Sequence, residues 1–171
     1  MITIGFIGAG KMASAIIKGL NKEKFSIHIS GRNFEETQLT AKVLGVNGSA
    51  SHTDLIQNSD IIVLAVKPYV VADILSEHKI EKPIVSIAAG ITLADLSAMT
   101  SDKQPLVRVM PNINATIQKS TTGIVRNAYV SDDIFNIVKA VFESVGGVHE
   151  LAEKDFGTFT AIAGSSPAYI Y

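Results

Sequence analysis

The residues with the clearest chemical use stand near the start of the chain. Gly8-Ala9-Gly10-Lys11-Met12-Ala13 directly follows an apolar run, Ile2 to Ile7, and opens a stretch with Met12, Ile16, Ile17 and Leu20 on one side. In a strand–turn–helix, the first glycine permits a tight turn and the second lets a pyrophosphate approach the backbone. A small third residue, here Ala13, allows close packing of helix on strand. The phosphates would sit on the unpaired N–H groups at the helix start. The alternative is a tight turn that holds nothing. A Walker-type phosphate loop is excluded, because no Gly-x-x-x-x-Gly-Lys followed by Ser or Thr occurs.

The choice of nucleotide is read after the second strand. An NAD site expects an acidic residue there to accept from the ribose 2′-OH. This chain has Ser30-Gly31-Arg32-Asn33, and Glu35 is the first carboxylate. Arg32 suits a 2′-phosphate, with help from the Ser30 hydroxyl and the Gly31 amide. NADP(H) is therefore favoured, and NADH stays possible. Read blandly, Arg32 is a solvated turn residue.

Three further segments fall where strands should end, and open parallel sheets bind ligands beyond the carboxyl ends of their strands. Ala65-Val66-Lys67-Pro68 offers a small residue, a cation and a rigid turn. Ala88-Ala89-Gly90 leaves room for a flat ring or a ribose, and Arg108-Val109-Met110-Pro111-Asn112 supplies an apolar wall, a fixed turn and an amide. Each has a plainer reading. Lys67 is equally a surface lysine, Arg108 a structural partner of some carboxylate, and Asn112 a cap. His28, His52, His78 and His149 are scattered without metal-ligand spacing, and alternation puts His28 on the surface. No nucleophile triad or carboxylate pair can be argued, and no residue is assigned as catalytic. That pattern fits hydride transfer, in which the cofactor carries the chemistry and the protein positions it.

Short apolar runs separated by helical stretches must place these groups. Strands are expected at Ile2 to Ile7, Phe25 to Ser30, Ile61 to Val66, Ile84 to Ala88, Leu106 to Met110, Thr122 to Arg126 and Val148 to Leu151. Helices are expected after the glycine turn, at Glu35 to Leu44, after a Thr53-Asp54 cap up to Asn58, at Val70 to Leu75, after Thr92, and at Asp132 to Val145. Pro68 is read as a strand stop and Gly146-Gly147 as a helix stop. The expectation is an α/β fold: a Rossmann-like, doubly wound, mostly parallel sheet complete by about residue 151. Residues 152–171 lean helical and end on an apolar tail, which reads as the beginning of an all-helical second domain.

Composition narrows the class. The 171 residues are 47% hydrophobic and 18% charged, with a formal net charge of -1 and no Cys or Trp. Zero Cys excludes disulfides, thiolate metal sites and a cysteine nucleophile. Near-neutral charge offers no broad attraction to nucleic acid or to anionic membrane. No secretory leader and no bilayer-length apolar run is recognisable, so a cytoplasmic protein is expected.

IGFIGAGKMASAIIKGL, SDIIVLAVKP, IVSIAAGIT, LVRVMPNINA and DFGTFTAIAGSSPAYIY occur in order across essentially the whole chain. In these segments the sequence resembles pyrroline-5-carboxylate reductase. The resemblance implies reduction of 1-pyrroline-5-carboxylate to L-proline with NADPH or NADH, the last step of proline biosynthesis. It also implies a helical C-terminal domain that interlocks subunits into dimers or larger homo-oligomers. Carried over, cofactor contacts fall on Ile7, Gly8, Ala9, Gly10, Lys11 and Met12, and on Gly31 or Arg32. They continue on Ala65, Val66, Lys67 and Pro68 and on Ile87, Ala88 and Ala89, with Pro111 and Asn112 shaping the nicotinamide side.

The sequence also departs from the family's habits. Lys11 stands where Asn or Gln is common, His52 where Asn is frequent near the adenosine, Ile113-Asn114 for Thr-Pro, and Ser166 for a glycine. Relatives are longer, and their extra part supplies the dimer helices and a Gly-Thr-Thr segment that holds the substrate carboxylate. The 171-residue piece is accordingly expected to bind NADPH without turnover. Two competing functions are a related NADP-dependent β-hydroxyacid or imine dehydrogenase and a non-catalytic NADP-binding regulatory paralogue.

Overall fold

In the computed structural model, which describes residues 1–111 and 120–156, the apolar runs become one eight-stranded sheet. The chain alternates β1 (Ile2–Ile7), α1 (Lys11–Gly19), β2 (Phe25–Ser30), α2 (Phe34–Leu44), β3 (Asn47–Gly48) and α3 (His52–Asn58). It continues through β4 (Ile61–Leu64), α4 (Pro68–Glu77), β5 (Ile84–Ser86), α5 (Leu93–Ala98) and β6 (Leu106–Met110). The last elements are β7 (Ser120–Arg126), α6 (Asp132–Glu143), β8 (Gly146–Glu150) and a 3-10 turn at Glu153–Asp155.

The strand order is β3-β2-β1-β4-β5-β6-β7-β8. Every neighbouring pair is parallel except β6 and β7, so the expected doubly wound, mostly parallel class holds. Order reverses between β1 and β4, which leaves a crevice at their carboxyl ends. Helices on both faces bury the sheet twice over. Phe6, Ile16, Ile17, Phe135 and Phe142 belong to the core beneath α1, α2 and α6. Leu55, Ile62, Val71 and Leu96 belong to the core beneath α3, α4 and α5. All four residues of β4 are buried, with Ile61 and Val63 in one core and Ile62 and Leu64 in the other. A strand covered on both sides reads as a continuous apolar run, as this one does. Among the described residues no helix is long and apolar enough to cross a membrane.

Several expected boundaries move for local reasons. Ser51, not Thr53-Asp54, caps α3, because its side chain accepts from the Asp54 N–H at 3.0 Å. Pro68 does not stop β4; it starts α4, where its missing N–H costs nothing. β4 ends at Leu64 and β5 at Ser86, so Ala65-Val66 and Ile87-Ala88 lie in the loops beyond the ladder. Gly146-Gly147 opens β8 and does not terminate α6, which already ends at Glu143. His28 is half-buried on β2, not a surface residue. Residues 153–155 form a single 3-10 turn, and the rest of the expected second helical domain lies outside the described residues.

Candidate functional site

The glycine turn is clamped between two strand ends. The Gly8 N–H donates to the Ser30 carbonyl at 2.8 Å, and the Ala65 N–H donates to the Ile7 carbonyl at 2.9 Å. Gly8 has φ +99°, and a Cβ there would stand 2.5 Å from the Ala65 carbonyl oxygen. Only glycine fits. Gly10 differs: its backbone is ordinary and extended, and a Cβ would meet nothing within 4 Å. The space over Gly10 is therefore open. Ala13, 1% exposed, seals the opposite side of α1 against the core.

Helix capping marks the same place. Asn33, Ser51, Thr92 and Ser131 each cap a helix by accepting a backbone N–H, and Thr92 forms a full capping box with Asp95. Hydrogen bonds from the Thr92 backbone and side chain hold the Asp95 carboxyl below the ordinary carboxylate value. The exceptions are α1 and α4, which begin at Gly10 and Lys67 with no side-chain cap. These two helices follow β1 and β4, the strands that flank the reversal point. At α1 this leaves the first-turn N–H groups for another acceptor; at α4 Pro68 has no N–H and the Val70 N–H already donates to the Lys67 carbonyl at 2.9 Å, so chiefly the helix dipole favours an anion there.

Charge agrees with that geometry. Lys11, Arg32 and Lys67 are exposed at the carboxyl ends of β1, β2 and β4, three adjacent strands. Among the described residues none of the three pairs with a carboxylate. A pyrophosphate with a further phosphate is the ligand class that such an arc suits.

The other sequence-predicted residues divide by role. Ile7 is buried and can offer only its backbone to a ligand. Ala9, Met12, Gly31, Ala65, Val66 and Ile87 are half-buried along the crevice, while Pro68 and Ala89 are exposed. Ala88 is 5% exposed, and its N–H donates to the Ser86 hydroxyl, so it shapes the floor. Pro111 is buried at the end of β6, and Asn112 lies outside the described residues. The Ser30 hydroxyl is not free for a phosphate: Ser30 is fully buried, with its Oγ 2.7 Å from the Nδ1 of His52. Arg108 is a structural residue. It pairs with Glu153 at 2.9 Å and stacks over the Phe156 ring at 4.4 Å. Glu153 also accepts from the Leu93 N–H, which ties the segment after β8 to the start of α5.

The sequence reading missed the His52–Ser30 contact and the uncapped pair of helices. The second had a visible signal: no Ser, Thr, Asp or Asn stands at Gly10 or Lys67.

The family model described as NADP oxidoreductase, coenzyme F420-dependent, matches residues 3–90, which hold β1 through β5. A pyrroline-5-carboxylate reductase from Corynebacterium melassecola is 32% identical over all of this chain and 67% of its own length. A solved 1-pyrroline-5-carboxylate reductase from Streptococcus pyogenes is 44% identical with a TM-score of 0.93, covering 99% of this chain and 66% of that one. A Plasmodium falciparum pyrroline carboxylate reductase, solved with NADP bound, is 31% identical with a TM-score of 0.85, covering 99% and 65%. The chain thus spans between 60% and 67% of the length of the first curated relatives it matches.

Proposed function

The chain belongs to the pyrroline-5-carboxylate reductase family, and from that premise we propose that the protein reduces 1-pyrroline-5-carboxylate to L-proline with NADPH. The observation that carries this reading is the pair of uncapped helix starts at Gly10 and Lys67, ringed by the unpaired cations Lys11, Arg32 and Lys67. A dinucleotide phosphate bridge sits on an open helix start such as that of α1, and neighbouring cations suit its charge.

In this reading the residues from Gly8 to Met12 hold the pyrophosphate, with backbone support from Ile7. Gly31 and Arg32 receive the 2′-phosphate, which selects NADPH over NADH. Residues 65–68 and 87–89 contribute further cofactor contacts, and by the family resemblance Pro111 and Asn112 fall on the nicotinamide side. When bound, the reduced nicotinamide supplies the hydride for the imine carbon of the substrate. The chain's own residues contribute orientation and exclusion of water, through the small side chains at Ala65, Ala88 and Ala89. No residue present is assigned as the acid that protonates the imine nitrogen.

Residues 1–151 form the cofactor-binding domain in this account, and 152–171 open a helical dimerisation domain. What supports this is that β8, ending at Glu150, is the last strand among the described residues. A cytoplasmic homo-oligomer acting on a small molecule completes the proposal. Expression of the full-length coding sequence in a proline-requiring bacterial strain should restore growth without proline. Failure of a well-expressed protein to do so would overturn the assignment.

A further inference from the structure

The fold brings together two histidines, separated in the sequence, at the edge of the nucleotide crevice. His52, the first residue of α3, is half-buried, and its Nδ1 lies 2.7 Å from the Oγ of the fully buried Ser30. His78, the cap residue after α4, stands edge-on to it with ring centroids 5.8 Å apart. The Nδ1 of His78 is 3.4 Å from the Thr53 hydroxyl. Ser30 ends β2 and directly precedes Gly31 and Arg32. The histidine pair therefore backs the strand end that meets the ribose 2′ position of a dinucleotide.

We propose that His52, coupled to His78, determines specificity at the 2′ position by taking up a proton when a 2′-phosphate binds. Preference for NADP(H) over NAD(H) then strengthens as pH falls. The inference rests on the dinucleotide reading above and deepens it.

The physical chain is short. Burial holds His52 below its ordinary value of 6.5, and the like charge of His78 lowers it further, while Glu77 acts in the opposite direction. His78 and Glu77 both come from the end of α4, and β2 contributes only the uncharged Ser30 hydroxyl. On α3 itself, the Asp54 carboxylate is directed to the Ala50 N–H. His52 is thus held toward its neutral form in the free protein. A neutral His52 that accepts from Ser30 carries its proton on Nε2; once protonated, both nitrogens donate and the Ser30 hydroxyl turns to accept. A dianionic phosphate favours that protonated form, whereas a ribose hydroxyl does not. Each unit by which binding raises the pKa of His52 tightens the complex about tenfold at pH below its free and bound values.

The ligand has its own titration, since a phosphate monoester takes up a proton near pH ~6 and then binds cations less well. The test therefore compares variants with wild type. Dissociation constants of NADP+ and NAD+ are measured calorimetrically on the full chain at about pH 7.5, 6.5 and 5.5, in two buffers of different ionisation enthalpy. The NADP+ preference of wild type, divided by that of His52→Asn, should rise about tenfold over this range. Wild type should take up more protons than H52N on binding NADP+, with no difference for NAD+. His78→Asn removes the like charge and should shift the rise to higher pH. A wild-type-to-H52N ratio that is flat with pH would overturn the proposal. If H52N does not fold, an unshifted profile in H78N overturns it instead. No NADP+ binding to wild type at any pH would strike down the cofactor reading, and this inference with it.

Discussion

Alanine at Gly8 and alanine at Gly10 perturb one turn in two opposite ways. Gly8 sits at φ +99°, where an L-residue costs about 1–2 kcal/mol. Its new Cβ would also stand 2.5 Å from the oxygen and 2.9 Å from the carbon of the Ala65 carbonyl. Both are backbone atoms, and Ala65 is tied to β1 by its N–H to the Ile7 carbonyl. Forcing such a contact apart costs roughly another 1–3 kcal/mol. Gly8→Ala should therefore destabilise the protein by about 3 kcal/mol and lower its Tm by about 6–12 °C. Gly10→Ala meets neither problem, since its φ is -75° and its Cβ has open space. The stability change there should stay below about 1 kcal/mol. The methyl group does, however, fill the space that a pyrophosphate needs, so NADPH affinity should fall at least tenfold, or about 1.4 kcal/mol. Thermal unfolding and NADPH fluorescence titration of both variants separate the effects. A G10A protein that binds NADPH as tightly as wild type would refute the reasoning about the turn, as would a G8A protein that melts with wild type.

Other outcomes follow from single contacts. Arg32→Ala should weaken NADPH binding by about tenfold and NADH by no more than about twofold, because only the first offers a 2′-phosphate; equal losses in side-by-side titrations would remove Arg32 from that role. Glu153→Ala strands the guanidinium of Arg108, whose side chain is 11% exposed. The loss should be about 2 kcal/mol by urea unfolding, less than for a fully buried pair because the Glu153 side chain is 34% exposed. The stability of the ligand-free protein should also fall on acidification through His52. Its folded pKa lies below 6.5, so the unfolded chain takes the proton first. That contribution is complete above 6.5 and is lost as pH falls toward the folded value, and urea unfolding should show a smaller loss in H52N.

Much of the fold was readable because local and global signals agreed. The run Ile61–Leu64 is apolar at every position, and the fold buries it on both faces. Phe25–Ser30 alternates along most of its length as its strand does, Leu106–Met110 is buried at its first four positions, and both appear with the expected bounds. The glycine turn was legible because Gly8 must be glycine, for a reason the backbone states outright. Where the reading slipped, two local options competed. Thr53-Asp54 carries cap chemistry, yet Ser51, two residues earlier, reaches the Asp54 N–H and starts the helix. β3 is two residues, Asn47–Gly48, too short to carry any pattern. Ala65, Val66, Ile87 and Ala88 look like strand, yet they leave the ladder at the crevice, so apolar character alone could not bound β4 and β5. The Arg108–Glu153 and Ser30–His52 contacts join residues 45 and 22 positions apart. Nothing short of the folded chain could pair them.

The central claim, reduction of a cyclic imine from a dinucleotide held at these strand ends, has a direct test. NADPH carrying deuterium at the transferred position of nicotinamide C4 is incubated with the full-length protein and 1-pyrroline-5-carboxylate, and the product is analysed by mass spectrometry. The account predicts L-proline with one deuterium on the former imine carbon. NADPH that binds but is not consumed, or proline without the label, would contradict it.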